Sequence, residues 1–300
     1  MVSMAWPIIF VFPPPASVFI TAMSAISFTL ASAGISEMRG KNMQYSKFWK
    51  NSNQPDSQKS KQIYISGRRG MQIAYTPAFL AGLTSLVLFP RNDQKKRYLL
   101  LSSALTIHFL KRLLEVQFVH KYSGGMALDT AIPISLSYFM STATMVYAQH
   151  LAITLGLPEP PIDLKYPGIL LFLVGISGNF YHHYLLSRMR SSSSSSTSTS
   201  KSNDDKDYKI PRGGLFELVV CPHYLFEIIG FIGFAFISQT FYAFAYMAGT
   251  TFYLTGIGAM LLGDGHAAGP LGFVVGHAPL IPLVSAHSAP APLGVAAHQL

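Results

Sequence analysis

Seven stretches of this 300-residue chain stay apolar over about 20 residues, the length that crosses the hydrocarbon core of a bilayer. They run roughly from Pro7 to Ala33, Met71 to Pro90, Tyr98 to Val119, Thr130 to Leu155, Tyr166 to Leu186, Gly214 to Ser238 and Phe241 to Leu262. Backbone in lipid must satisfy its own polar groups, so such stretches become helices. Half of the residues are hydrophobic and 12% are charged, against about 25% charged in an average soluble domain. The expected fold is all-α: a multi-pass transmembrane helical bundle of about seven spans. The first stretch is a poor signal peptide, because Met1 to Ile35 holds no Lys or Arg and its apolar run is too long. It reads as a retained span.

A net charge of +9 invites a nucleic-acid reading, but the 22 Lys and Arg residues are parcelled between the spans. Loops one, three and five share one side of a seven-span bundle and carry 17 of them; the other side carries Arg91, Lys95, Lys96, Arg97 and Lys165. Basic residues accumulate on the cytosolic side. The basicity is therefore topology, no nucleic-acid partner is implied, and the N-terminus falls outside the cytosol. The single cysteine, Cys221, reads as a packing residue and excludes an intramolecular disulfide or a redox pair.

Three polar stretches interrupt the spans. Residues 39–70 read as a cytosolic loop, and residues 191–207, opening on an almost pure Ser/Thr run to Ser202, read as a disordered insert. Residues 257–300 form a tail that is partly disordered, with no Lys or Arg and much Gly, Ala, Pro and His. Residues 1–256 make up the membrane domain, and no internal repeat suggests an inverted-repeat carrier.

Polar residues at the cytosolic ends of spans carry the chemistry. At about 100° per residue, Asn179, His183 and Arg190 share nearly one helix face, with His182 beside them. An amide, an imidazole and a guanidinium looking one way favour a polar site over simple snorkelling. In the third span, His108, Lys111 and Glu115 form a stripe, and Lys111 or Arg112 can pair with Glu115, as scaffold or as ligand contact. His120 and Lys121, followed by glycines, are placed to meet a soluble anion. Tyr208 and Lys209 precede Gly213 and Gly214, and Cys221-Pro-His-Tyr-Leu-Phe-Glu227 sets His223 and Glu227 four apart on one face. A buried Glu can hold an amide, fix a His tautomer or act as an acid, and the spacing does not choose among these. The aromatic residues of the last span, among them Tyr242, Tyr246 and Tyr253, read as lipid-facing or packing groups.

Four motifs occur in order: His-Lys-Tyr-Ser-Gly-Gly from His120, Gly-Asn-Phe-Tyr-His-His from Gly178, Tyr-Lys-Ile-Pro-Arg-Gly-Gly-Leu-Phe from Tyr208, and Cys-Pro-His-Tyr-Leu-Phe-Glu from Cys221. Together they resemble the steroid 5-alpha-reductase family of endoplasmic-reticulum membrane enzymes, especially its plant branch. Polyprenol reductase and trans-2-enoyl-CoA reductase are relatives of that family. The resemblance runs from about Pro13 to Gly256. It implies NADPH-dependent reduction of a carbon–carbon double bond conjugated to a carbonyl, with a soluble cofactor and a lipid substrate entering from the bilayer. By position it implies cofactor contacts at Asn179, His183, Arg190, Tyr208, His223 and Glu227, with Lys121 close to another basic site and Lys209 at the same mouth. His183 and His223 replace an Asp and an Asn of the family.

Two departures accompany the resemblance. Where steroid reductases keep a catalytic Glu, this chain has Tyr75-Thr-Pro77, and a substrate-holding Tyr is Phe109. Tyr75 then becomes the implied carbonyl donor, with His108 the next candidate. After Tyr253-Leu-Thr-Gly256 the family's basic, cofactor-contacting ending is replaced, as by a frameshift, an altered splice or a gene-model error. A rival reading is a catalytically silent membrane partner of lipid-biosynthesis enzymes. No metal site is expected.

Overall fold

The computed structural model describes residues 9–38, 63–88, 96–122, 124–194, 213–219 and 221–261. Within them stand seven long helices, at the seven apolar stretches: α1 (Val18–Met38), α2 (Gly67–Leu88), α3 (Lys96–Leu114), α4 (Leu128–Thr154), α5 (Lys165–Ser194), α6 (Pro222–Ser238) and α7 (Phe241–Leu261). Two pieces, Gly67–Leu88 and Lys165–Arg190, are long and apolar enough to cross a membrane by length and composition; the apolar lengths Val18–Leu30 and Pro222–Ser238 are shorter.

Several boundaries differ from the sequence reading, each for a local reason. The first helix begins at Val18 because Pro13 to Pro15 precede it, with no N–H to donate. The sixth begins at Pro222, a residue suited to a first helical turn, and Gly214–Glu217 is a separate 3-10 turn. The polar loop ends before residue 70: β1 (Tyr64–Ser66) pairs antiparallel with β2 (Gly125–Ala127), and α2 starts at Gly67. The bundle is therefore not purely α. Helix α5 runs on to Ser194, into the Ser-rich insert. The remainder of that insert, with Tyr208 and Lys209, and the tail from residue 262 lie outside the described residues.

Small residues set the packing. The broadest helix interface joins α5 to α6, followed by α1 to α7. A Cβ added at Gly168 would lie 2.7 Å from the Ile237 nitrogen, and one at Gly233 would lie 2.6 Å from the Phe172 nitrogen. Backbones this close exclude side chains, the way helices associate where lipid removes the hydrophobic drive between them. Helix α6 thus sits at the centre, buried along most of its length.

The end of the bundle away from the polar mouth is tied by Gln239, in the left-handed region at φ 51°. Its amide donates to the carbonyls of Phe10 (2.6 Å) and Ile162 (2.8 Å) and accepts from Arg97 (2.6 Å) and the Leu164 N–H (2.9 Å). Arg97 also pairs with Asp163 at 2.8 Å. Against the cost of burial, hydrogen bonds from Lys165 and the charge of Arg97 hold the Asp163 carboxyl below its ordinary pKa.

Candidate active site

The shared face of α5 is real, and its partner is the end of α3. From α5, Asn179 accepts from Lys111, His183 lies 3.1 Å from Glu115, Ser187 donates to the Val119 carbonyl (2.6 Å) and Arg190 donates to the Lys121 carbonyl (2.6 Å). Four rungs at helical spacing fasten the two elements side by side. A π turn at Glu115–Val119 ends α3 within this ladder. π turns recur where a helix serves a site, because they re-aim the side chains beyond them.

Glu115, 1% exposed, is the anionic centre. Lys111 approaches it at 2.8 Å and Arg112 at 3.3 Å, so the buried carboxylate is doubly compensated. Arg112 also donates to the Tyr75 hydroxyl at 2.6 Å and stands 5.0 Å from the centroid of that ring. Lys111, Arg112 and Glu115 pair with one another and hold Tyr75, Asn179 and His183 in place, which is compatible with either role the sequence allows them. Glu115, His120 and His183 bring ligand atoms within 4.8 Å of one another, a spacing that could hold a metal ion. Lys111 and Arg112 bring two positive charges to the same carboxylate, which opposes a metal cation there.

On α6, His223 and Glu227 face α5 as the spacing implied. Asn179 donates to the His223 carbonyl (2.8 Å) and to Glu227 Oε2 (3.3 Å). The rings of His183 and His223 lie 5.4 Å apart. Tyr75, Asn179, His183, His223 and Glu227 are thus brought together, and Arg190 and Lys121 meet at the rim. His108 is held apart: its ring packs against Phe109, Phe231 and Phe234 at 5.0 to 5.8 Å, and among the described residues no side chain hydrogen-bonds it. His120 differs from the expectation of an anion-meeting group. It is 2% exposed and its Nδ1 lies 3.0 Å from the Tyr122 hydroxyl. Burial first, then the neighbouring His183 and Arg112, push its imidazole down to about 2, so it is neutral at physiological pH.

His182, beside that shared face, orders the glycine turn. Its Nδ1–H donates to the Gly178 carbonyl (2.7 Å), its Nε2 accepts from the Leu215 N–H (3.3 Å), and its ring stacks on Phe226. Gly213 and Gly214, at φ 87° and 57°, make the turn it clasps.

Beyond Glu227 the site opens into a largely apolar cavity of about 170 Å³ between α1, α4, α6 and α7. Leu30, Ile134, Tyr138, Phe231 and Leu254 are among its walls; Tyr246 and Tyr253 line it too, so part of the last span's aromatic set faces a cavity rather than lipid. Tyr75 is not in the wall but behind it, its ring 5.4 Å from that of Tyr138. No sequence signal marked Tyr138, because only the folded bundle brings α4 against α2.

Fold and site together define a helical-bundle protein in which a buried ionic centre adjoins an apolar cavity. Residues 161–260 match the family described as 3-oxo-5-alpha-steroid 4-dehydrogenase, and the relatives that the chain resembles are reductases of that family's kind. It is similar to the very-long-chain enoyl-CoA reductase of Dictyostelium discoideum, 31% identical over 157 residues (51% of this chain, 47% of that protein). It is also similar to the polyprenal reductase of Danio rerio, 33% identical over 139 residues (44% and 42%), and to 3-oxo-5-alpha-steroid 4-dehydrogenase 2 of Rattus norvegicus, 24% identical over 194 residues (64% and 70%). The chain spans about half the length of the enoyl-CoA reductases it matches. These relatives do not single out the plant branch.

Proposed function

We propose that this chain is a multi-pass reductase of the endoplasmic-reticulum membrane. It uses NADPH to saturate a carbon–carbon double bond conjugated to a carbonyl in a lipid: a steroid or polyprenoid enone, or an enoyl-CoA. The observation that carries this reading is the double position of Glu227, which accepts from Asn179 in the ionic cluster and also lines the apolar cavity. A polar reagent and a lipid can therefore meet at one residue.

The donor set fits a nicotinamide dinucleotide. Asn179 and Glu227 match the donor and acceptor of a carboxamide, and Arg190 and Lys121 at the rim match phosphate oxygens. Buried His120 Nε2 and Arg112 Nε have no hydrogen-bond partner among the described residues, leaving polar capacity for a bound group. NADPH supplies the hydride. Arg112 donates to Tyr75, so that oxygen is the acceptor and the phenol's own O–H is left for another acceptor, which suits a substrate carbonyl. Glu115 keeps Arg112 in place for that task.

The membrane reading is supported by an inverted polarity. Arg112, Glu115, His183, Thr144 and Gln149 are buried, whereas Val18, Phe28, Leu80, Val87, Leu136, Leu170 and Phe252 stand at least half exposed. Polar residues inward and large apolar residues outward is the arrangement expected in lipid. On this reading all seven helices cross, the polar mouth faces the cytosol, and other enzymes of lipid biosynthesis are the natural partners.

The test is NADPH consumption by the purified chain in detergent micelles, offered separately a long-chain trans-2-enoyl-CoA, a polyprenal and a steroid enone. One of these should drive oxidation and its saturated counterpart should not. NADPH binding without turnover on any of them would favour the silent-partner reading instead.

A further inference from the structure

The cavity wall carries a phenol to which no role has been given. Tyr138, on α4, lines the cavity with Glu227, and its ring lies 5.4 Å from Tyr75 and 5.6 Å from Phe109. Its backbone carbonyl accepts from Ser141, but among the described residues no side chain hydrogen-bonds its hydroxyl. A phenol in apolar surroundings needs an acceptor, since an unpaired O–H there forfeits the hydrogen bond it made in water. Ser137, Tyr246, Thr250 and Tyr253 also line the cavity, but of these hydroxyl residues only Tyr138 packs on Tyr75, and so borders the Arg112 cluster.

We propose that the Tyr138 hydroxyl is the group that meets the carbonyl oxygen of the bound lipid, with Tyr75 supplying a second hydrogen bond from behind the wall. The proposal rests on the cavity being the lipid site. A carbonyl oxygen has two lone pairs and can accept from both phenols. When the β-carbon accepts hydride, the electron pair of the double bond shifts toward the carbonyl and negative charge grows on its oxygen. Two donors set in advance stabilise that charge without losing their protons. The α-carbon then takes its proton from water, and the carbonyl is restored. Tyr138 is in this sense a catalytic residue, and it orients the lipid carbonyl-first toward Glu227 and Tyr75.

The test is spectroscopic and uses a ligand that cannot react: a long-chain saturated methyl ketone, isotope-labelled at its carbonyl. Its infrared band is read on the full chain in micelles. Bound to the wild type, the carbonyl band should lie at lower frequency than in empty micelles, because hydrogen bonding weakens the C=O bond. Tyr138→Phe should return it about half way, since Tyr75 still donates, Tyr138→His, which keeps a donor, should hold more of the shift, and enone turnover should fall about a hundredfold in Tyr138→Phe with KM little changed. A shifted band that Tyr138→Phe and Tyr138→His both leave in place would overturn the role of Tyr138 while leaving the cavity as the lipid site. No bound ketone on the wild type would remove both.

Discussion

Arg112 on α3 donates a 2.6 Å hydrogen bond to the hydroxyl of Tyr75 on α2, so a buried cation and a buried phenol are locked together beside the cavity wall. By the resemblance of the sequence, this phenol takes the place of a carboxylate of the steroid reductases. If it polarises the substrate carbonyl, Tyr75→Phe should lower turnover by about 10² to 10³, the cost of removing one oxyanion donor. NADPH affinity should stay near wild type. Steady-state kinetics and a binding titration on one preparation separate the two, and unaltered turnover would move the donor elsewhere.

Arg112→Met removes a cation that Glu115 and Tyr75 both use. Breaking a buried pair from one side costs about 3 to 5 kcal/mol, because the remaining charge is stranded. Lys111 stays within 2.8 Å of Glu115, so the loss should fall at the low end. Adding Glu115→Gln should recover part of the stability without recovering activity, as read from thermal unfolding in detergent.

Arg190 anchors the rim through the Lys121 carbonyl, and on the proposed reading its guanidinium charge also meets a phosphate of the cofactor. Charge-assisted bonds contribute roughly 1.5 to 3 kcal/mol. Arg190→Ala should therefore weaken NADPH binding by about one to two decades and leave NADH nearly unchanged. Equal losses for both nucleotides would refute a role at the extra phosphate.

Acid should act on His120 and on Asp163 at different pH. His120 is held neutral in the fold, whereas the unfolded chain takes up its proton near the ordinary value of about 6.5. Its contribution to stability is present above that value and is lost progressively as pH falls below it. Asp163 has a depressed folded pKa, so its contribution holds above about 3.9, the unfolded value, and is lost only as pH falls further through the folded value. Between pH 7 and 5, wild-type stability in detergent should drop and His120→Asn should flatten that slope, while Asp163→Asn should not. The reverse pattern would assign the acid lability to the far end of the bundle.

How much of this was legible in the chain depended on distance in sequence. The face shared by Asn179, His183 and Arg190 follows from helical period alone, and so does the pairing of His223 with Glu227. That α5 would meet the end of α3 was not legible: Asn179 and Lys111, His183 and Glu115 lie 68 residues apart, and no local pattern marks such contacts. His120 was misread because its neighbours in sequence, Lys121 and the glycines, suggest a rim, whereas a π turn rotates it inward. The close approach of Gly168 and Gly175 to Gly230 and Gly233 left only scattered glycines as a trace.

The central claim is that the polar cluster and the cavity jointly deliver hydride to a lipid's conjugated double bond. It is tested most directly by supplying NADPH deuterated at its transferable position, together with whichever enone or enoyl lipid drives oxidation, and locating the label by mass spectrometry. The account predicts one deuterium per saturated product, on the β-carbon, with the carbonyl intact. A product reduced at the carbonyl instead, or saturated without label, would contradict it.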